Sequence, residues 1–214
     1  RKARKENKFP DKDSVNAAMQ SVGFQYVLID SVNSLVRLTK PGMQLDLGGI
    51  GQGYIGQKVS ELLKRNNITI SLIDVSGDII TGDSPEKEGW SIAINVPESA
   101  DEFLDKDVFI HNKSVITSGD VYQYMIHDGK KYSHIVDPKT GYGVTNQRNV
   151  TVIAEDGTTA DWLTKAFTIL PIRKVRKLAK KLNAEFLIGT IKKGKLIFYR
   201  SSNFEKYRNN RNNT

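Results

Sequence analysis

Apolar residues recur along the chain with two periods, and each change of period marks a new element. Within residues 54–65, Ile55, Val59, Leu62 and Leu63 fall at helical spacing, and Asn66-Asn67 closes that helix. Residues 13–22 predict a short helix. Residues 160–170 are apolar almost all round, which predicts a buried helix, and residues 172–182 predict an amphipathic helix with a basic face. Strand-like runs occupy residues 26–29, 34–38, 68–73, 79–80, 90–94, 108–110, 114–117 and 150–154, with turn residues between them. Residues 185–189 and 195–199 read as a closing hairpin. No internal repeat and no linker divides the chain, and many strands with a few helices predict the α+β class.

The polar–apolar alternation of residues 44–47 runs into a glycine-rich stretch, where Gly51-Gln52-Gly53-Tyr54-Ile55-Gly56 matches G-x-G-x-x-G. A helix follows it, then a strand, and Asp74 ends that strand 18 residues after Gly56. This spacing is that of a Rossmann dinucleotide fingerprint, in which glycines let backbone N–H groups approach a pyrophosphate at a helix N-terminus. Against it, Asp46 interrupts the preceding segment where a parallel strand should be continuously apolar, and the rest of the chain does not alternate β and α. The same glycines also suit a tight entry into a helix. A Walker loop is excluded, since no Gly-Lys-Ser/Thr is present.

Composition narrows the chemistry. The 214 residues contain no cysteine, which excludes disulfides, zinc–thiolate sites, iron–sulfur clusters and cysteine nucleophiles. No apolar run approaches the roughly 20 residues of a membrane helix. The net charge of +8 invites a nucleic-acid partner, yet it sits at the ends. Residues 1–8 carry net +4 and residues 173–214 net +11, while the 164 residues between them carry net −7. A solvated basic face accounts for such ends, and no nucleic-acid partner is expected. The opening Arg1-Lys2-Ala3-Arg4-Lys5 has no apolar stretch after it, so it reads as a flexible arm or as the middle of a longer chain.

Three further clusters hold candidate chemistry. Thr117-Ser118-Gly119-Asp120 has the composition of an Asx-type turn. Tyr132-Ser133-His134-Ile135-Val136-Asp137-Pro138-Lys139-Thr140-Gly141 places one of three histidines in an apparent strand that enters an Asp-Pro turn. Ala160-Asp161 opens the apolar helix with an acid, which the helix dipole favours.

Taken in order, these clusters resemble the FAD:protein FMN transferases, the ApbE flavin-transferase family. Its Leu-Asp-Leu-Gly-Gly-Ile-Ala-Lys-Gly-Tyr is matched by Leu45-Asp46-Leu47-Gly48-Gly49-Ile50-Gly51-Gln52-Gly53-Tyr54. Its Gly-Gly-Asp looks like Ser76-Gly77-Asp78, and its Ala-Thr-Ser-Gly-Asp like Ile116-Thr117-Ser118-Gly119-Asp120. Its Tyr-Ser-His-Ile-Ile-Asp-Pro-Arg-Thr-Gly is nearly reproduced by residues 132–141, and its Ala-Asp-x-Leu-x-Thr-Ala by residues 160–166. The resemblance covers roughly residues 10–200. It implies a single ApbE-like, T-fold-related domain over residues 9–204, with a largely antiparallel sheet and packed helices. A basic arm at 1–8 precedes it and a polar tail at 205–214 follows.

The resemblance also implies an activity: Mg²⁺-dependent cleavage of FAD and transfer of FMN to a threonine of an acceptor flavoprotein subunit. Backbone amides and a divalent cation suit the charge that develops on phosphoryl oxygens. By this likeness Asp46, Gly48, Gly49, Gly51, Gly53, Tyr54, Ser118, His134 and Ile135 would line the flavin nucleotide. Asp161 and His134 would act in catalysis, with His134 assisting the acceptor hydroxyl. The Gly51 carbonyl, Asp161 and a threonine would hold Mg²⁺, for which Thr164 is the candidate. Most bacterial relatives are exported lipoproteins, so the resemblance implies the periplasm or cell-envelope surface, with any lipid anchor expected ahead of Arg1.

This chain departs from the family pattern at three points. The lysine of the glycine stretch is Gln52. The threonine four residues after the aspartate is Lys165, which offers no acceptor oxygen, and the adjacent Thr164 points about 100° away on a helix. By the resemblance, the family's N-terminal portion, which helps to wrap FAD, is expected to be missing ahead of Arg1. Two alternatives therefore stand beside an active transferase. One is a flavin-binding relative with weak or no transfer, in which Lys165 replaces the metal; the other is a Rossmann-type NAD(P) oxidoreductase.

Overall fold

The computed structural model describes Glu6 and residues 8–94, 107–119, 123–192 and 194–208. Most of the basic arm, the end of the polar tail and Asp120 lie outside these residues. In chain order the elements are α1 (Lys12–Met19), β1 (Val27–Asp30), β2 (Leu35–Leu38), α2 (Gly51–Arg65), β3 (Leu72–Val75), β4 (Asp78–Thr81), β5 (Trp90–Ile92) and β6 (Val108–Ile110). There follow β7 (Ser114–Ser118), β8 (Tyr124–His127), β9 (Lys130–Ser133), β10 (Arg148–Ala154), α3 (Gly157–Ile169), α4 (Ile172–Lys181), β11 (Glu185–Lys192) and β12 (Lys195–Arg200). The mixture of helices with antiparallel sheet is the α+β class expected. The described residues form two compact units, one from residues 1–47 and 124–145, the other from 48–123 and 146–214. No described helix is long and apolar enough to cross a membrane.

The second unit is built on a six-stranded sheet in the order β12-β11-β10-β7-β4-β3, antiparallel at every ladder. Alternation along β10 sends Val150, Val152 and Ala154 to one face, where they join Ile116, Phe186 and Ile188 against Leu163 and Phe167 of α3 and Val175 and Ala179 of α4. Ile153, Val115 and Leu187 face the other way and pack with Ile94, Val108, Ile110 and Phe204. The central strands are thus covered on both faces, which explains why β10 lacks the polar alternation of a half-exposed strand. Helix α3 is tied at both ends. Asp156 accepts from the Thr159 N–H at 2.8 Å, and at the far end the Arg148 guanidinium donates to the carbonyls of Phe167 at 2.8 Å and Leu170 at 2.6 Å.

Three readings of the sequence meet the structure here. The strand read at residues 68–73 begins at Leu72, because Asn67 leaves the helix with φ of +61° and the Ile68 N–H still bonds back to the Leu63 carbonyl. Before β3, residues 69–71 pair irregularly with Gly82 and Asp83. Across the boundary expected at 204–205, Phe204–Tyr207 forms a 3-10 turn anchored by the fully buried Phe204. The βα units of a Rossmann fold are absent from the described sheet: residues 43–47 form no strand, and β3 pairs antiparallel with β4.

The first unit holds α1 and two hairpins, β1–β2 and β8–β9. Phe9 stacks on His127 with ring centroids 4.0 Å apart and on Tyr142 at 5.5 Å, with Tyr132 tilted against it at 4.7 Å. Asp11 caps α1 by accepting from the Ser14 N–H at 2.8 Å.

Candidate active site

Gly51, Gly53 and Gly56 do not form a loop ahead of a helix; they are the first two turns of α2 itself. Their use is close approach. A Cβ on Gly53 would lie 2.1 Å from the Gly157 carbonyl oxygen and 2.6 Å from Asp161 Cβ, and one on Gly157 would lie 2.6 Å from the Gly53 carbonyl oxygen. A Cβ on Gly56 would meet Ile80 Cδ1 at 2.3 Å. Helices α2 and α3 therefore meet backbone to backbone at their N-terminal turns.

The helices cap one another there. The N-cap of α2 is Ile50, whose side chain accepts nothing, so the Gly53 N–H donates across to Asp161 Oδ2 at 3.1 Å. In return, Gln57 of α2 accepts from the Gly157 N–H at 3.0 Å. Asp161 is 1% exposed, and its second oxygen, Oδ1, takes the Lys165 ammonium at 2.5 Å. The Lys165 stem passes Gly49, where an added Cβ would stand 3.6 Å from Lys165 Cγ. The structure thus brings Gly49, Gly53, Asp161 and Lys165 together at two converging helix N-termini, where both dipoles favour an anion.

Other expected residues fall as follows. Gly51 starts α2 with open space around its α-carbon, Gly48 lies in the preceding turn, and Tyr54 is half exposed with the Lys58 ammonium 5.5 Å above its ring. Ser118 is buried at the end of β7, on the sheet face that α3 covers. Gln52 donates to the Val75 carbonyl at 3.5 Å, so it leans on the β3–β4 hairpin. Asp46, His134 and Ile135 belong to the first unit. There β9 ends at Ser133, and the backbone bonds of Ser133 and Ile135 both go to Val144. His134 is exposed between them, in a bend rather than in the strand expected, and Ile135 is buried.

Of the metal set expected at Gly51, Asp161 and Thr164, neither side chain offers a free oxygen to the site. Thr164 is fully buried and donates its hydroxyl to the Asp161 carbonyl at 2.7 Å. Both Asp161 oxygens already have donors, one of them a cation. Mg²⁺ needs oxygen ligands in near-octahedral array at about 2.1 Å, and an ammonium on Oδ1 blocks that approach sterically and electrostatically. The residues present do not fit the metal.

Asp78 carries a role that the sequence motif did not assign. Ser76 and Gly77, at φ of +56° and +94°, make the two-residue turn of the β3–β4 hairpin, and Asp74 braces it by accepting from the Gly77 N–H at 2.7 Å. Asp74 therefore serves the turn, not a ribose. Asp78 starts β4 two residues before Ile80, on the face that meets α2 and α3, and is 5% exposed. Its Oδ2 has no hydrogen-bond partner among the described residues. Burial, and then the Asp161 and Asp74 charges, push its carboxyl up to about 7 against the pull of Lys165.

A carboxyl whose folded value lies above its unfolded value binds its proton more tightly when folded. Its stabilisation is complete at low pH, falls as pH rises from about 4, and is gone above about 7. Replacing it by Asp78→Asn removes this dependence. Across about pH 4 to about pH 8, the stability difference should move in the variant's favour by about 2–4 kcal/mol. Chemical denaturation at several pH values reads this, and parallel profiles for the two proteins would refute it.

Comparison with known proteins completes the picture. A match to the ApbE family spans residues 1–188. The FAD:protein FMN transferase of Klebsiella pneumoniae is 34% identical over 160 residues, which is 74% of this chain and 49% of the relative. Its counterpart in Buchnera aphidicola is 28% identical over 207 residues, 95% of this chain and 61% of the relative. Among solved structures, the ApbE protein of Thermotoga maritima aligns with a TM-score of 0.82 at 31% identity, covering 95% of this chain and 66% of that one. The apo flavinyl transferase ApbE of Pseudomonas stutzeri aligns with a TM-score of 0.78 at 27% identity, over 94% of this chain and 62% of that one. The chain spans about half to three fifths of the length of these curated relatives. With a family match over most of its residues, and the family's glycine and Ala-Asp segments meeting at one point in the fold, the chain belongs to the ApbE family.

Proposed function

We propose that this chain takes FAD as substrate and transfers its FMN portion to a threonine hydroxyl of an acceptor protein. In that step the acceptor oxygen attacks the FMN phosphorus, a new P–O ester bond forms, the anhydride P–O bond breaks, and AMP leaves with the electron pair. The hydroxyl proton passes to a base, the role that the family pattern gives to His134. The observation that carries the reading is the convergence of two helix N-termini and the Lys165 ammonium around the family's Gly53 and Asp161. Positive ends and a fixed cation suit a diphosphate and the charge that grows on its oxygens. The Mg²⁺ of the family pattern enters no step here, because Asp161 is already engaged. We extend the proposal to place and partner: a site in the bacterial cell envelope, and an acceptor subunit of a flavoprotein electron-transfer complex.

The test is incubation of the chain with FAD and such an acceptor, followed by chromatography for AMP and mass spectrometry of the acceptor. Stoichiometric AMP with an acceptor heavier by one FMN is the expected result. FAD binding without AMP or modified acceptor would leave a flavin-binding relative instead. Tight NADH binding with no FAD binding would remove both.

A further inference from the structure

Lys165 stands where the family pattern has a neutral hydroxyl, and its surroundings treat it as a built part of the site. Its ammonium lies 2.5 Å from Oδ1 of a carboxylate that is itself 1% exposed. The opposite oxygen of that carboxylate is fixed by the Gly53 N–H, so Asp161 cannot swing away without uncapping α2. The Lys165 stem packs beside Gly49, and Asp78 adds a second buried carboxyl within electrostatic reach of the same ammonium. Lys165 keeps 24% of its side chain exposed. An ammonium has three N–H donors, and Asp161 is the only partner of Lys165 among the described residues, so two donors remain for a ligand.

We infer that the Lys165 ammonium is the resident cation of this site, in place of a divalent metal, and that its two remaining N–H groups receive an oxygen of the FAD diphosphate. The inference rests on FAD being the substrate, and it deepens that proposal by specifying how the diphosphate charge is met. A covalently tethered monovalent cation needs no free metal, and its bond to Oδ1 keeps Asp161 in the position that caps α2. Thr164 and Thr168 supply no competing oxygen, since both are buried within the packing of α3, where their hydroxyls bond back to the helix at 2.7 Å and 2.8 Å.

The experiment titrates two probes separately, FAD and MgCl₂, into the chain and into Lys165→Thr, Lys165→Met and Lys165→Arg by calorimetry. FAD titrations are run in EDTA and again in Mg²⁺. For the unaltered chain, FAD affinity should agree within about twofold between the two buffers, and MgCl₂ alone should give no binding heat. Lys165→Met should weaken FAD binding about tenfold or more in both buffers, and Lys165→Arg should stay independent of metal. Lys165→Thr should weaken FAD binding in EDTA, recover it in Mg²⁺, and bind Mg²⁺ by itself, because it exposes Asp161 beside a hydroxyl oxygen.

FAD binding to the unaltered chain that tightens tenfold or more with Mg²⁺, or Mg²⁺ binding to the unaltered chain alone, overturns the inference. These two readouts need no variant, so misfolding of a variant leaves it open to refutation. A chain that binds FAD in neither buffer sinks the substrate proposal and, with it, the diphosphate contact. The MgCl₂ titrations then still report whether Lys165 keeps the metal out, so the two failures are told apart.

Discussion

Gly53→Val is expected to destabilise the chain by about 4 kcal/mol or more, the upper range for a single substitution. A glycine inside a helix ordinarily costs about 1 kcal/mol relative to alanine, so adding a side chain there should help. At Gly53 the sign reverses, because the new Cβ would lie 2.1 Å from a backbone oxygen of α3, and backbone cannot step aside as a flexible side chain can. Parting the helices also breaks both cross-caps, the Gly53–Asp161 bond and the Gln57–Gly157 bond. Gly51 is the control. Nothing lies within 4 Å of its built Cβ, and Gly51→Ala should be neutral or stabilising by about 0.5 kcal/mol. Denaturant midpoints for both variants decide the matter, and equal midpoints would mean that the helices do not meet as described.

Asp161→Ala should reduce the proposed FMN transfer about a hundredfold or more, because it frees the Lys165 ammonium from its fixed position and uncaps α2 at the point proposed to face the diphosphate. It should also cost about 2–4 kcal/mol, since removing one partner of a buried pair leaves the other without compensation, here softened by the partial exposure of Lys165. Asp161→Asn separates the two effects. The amide oxygen can still accept from the Gly53 N–H, so most of the stability should return, while the charge that orders Lys165 stays lost. Recovery of full transfer in Asp161→Asn would show that the carboxylate serves only as a helix cap. Melting curves beside AMP release distinguish these outcomes.

The long elements were legible because their periodicity was strong. The amphipathic α4 and the apolar α3 lie within a few residues of where the pattern put them, and so do β10 and the closing β11–β12 hairpin. The β8–β9 hairpin was overlooked although it carried a signal: Asp128-Gly129, at φ of +48° and +69°, is a two-residue turn of the favoured type. The glycines misled on secondary structure for a physical reason. Glycine marks a turn in local statistics, whereas here it marks a helix–helix contact more than a hundred residues away in the chain, which no local window registers. The same limit hid the weight of Asp78. Its motif was visible, but an unpartnered oxygen and the nearness of a second carboxyl are facts of three-dimensional packing. Asp161 and Lys165, by contrast, are four residues apart on one helix, so their pairing could be read from the spacing.

The fastening of α3 at both ends bears on how the site breathes. A helix whose first amides are held by Asp156 and Gln57 and whose last carbonyls are gathered by Arg148 has no frayed end from which to open. Its middle turns hold Leu163 and Phe167 in the centre of the core, so amide exchange there should proceed only through global unfolding. Asp161 inherits that protection. An incoming anion would find the carboxylate and its ammonium already ordered, and little of the binding energy would be spent on arranging them.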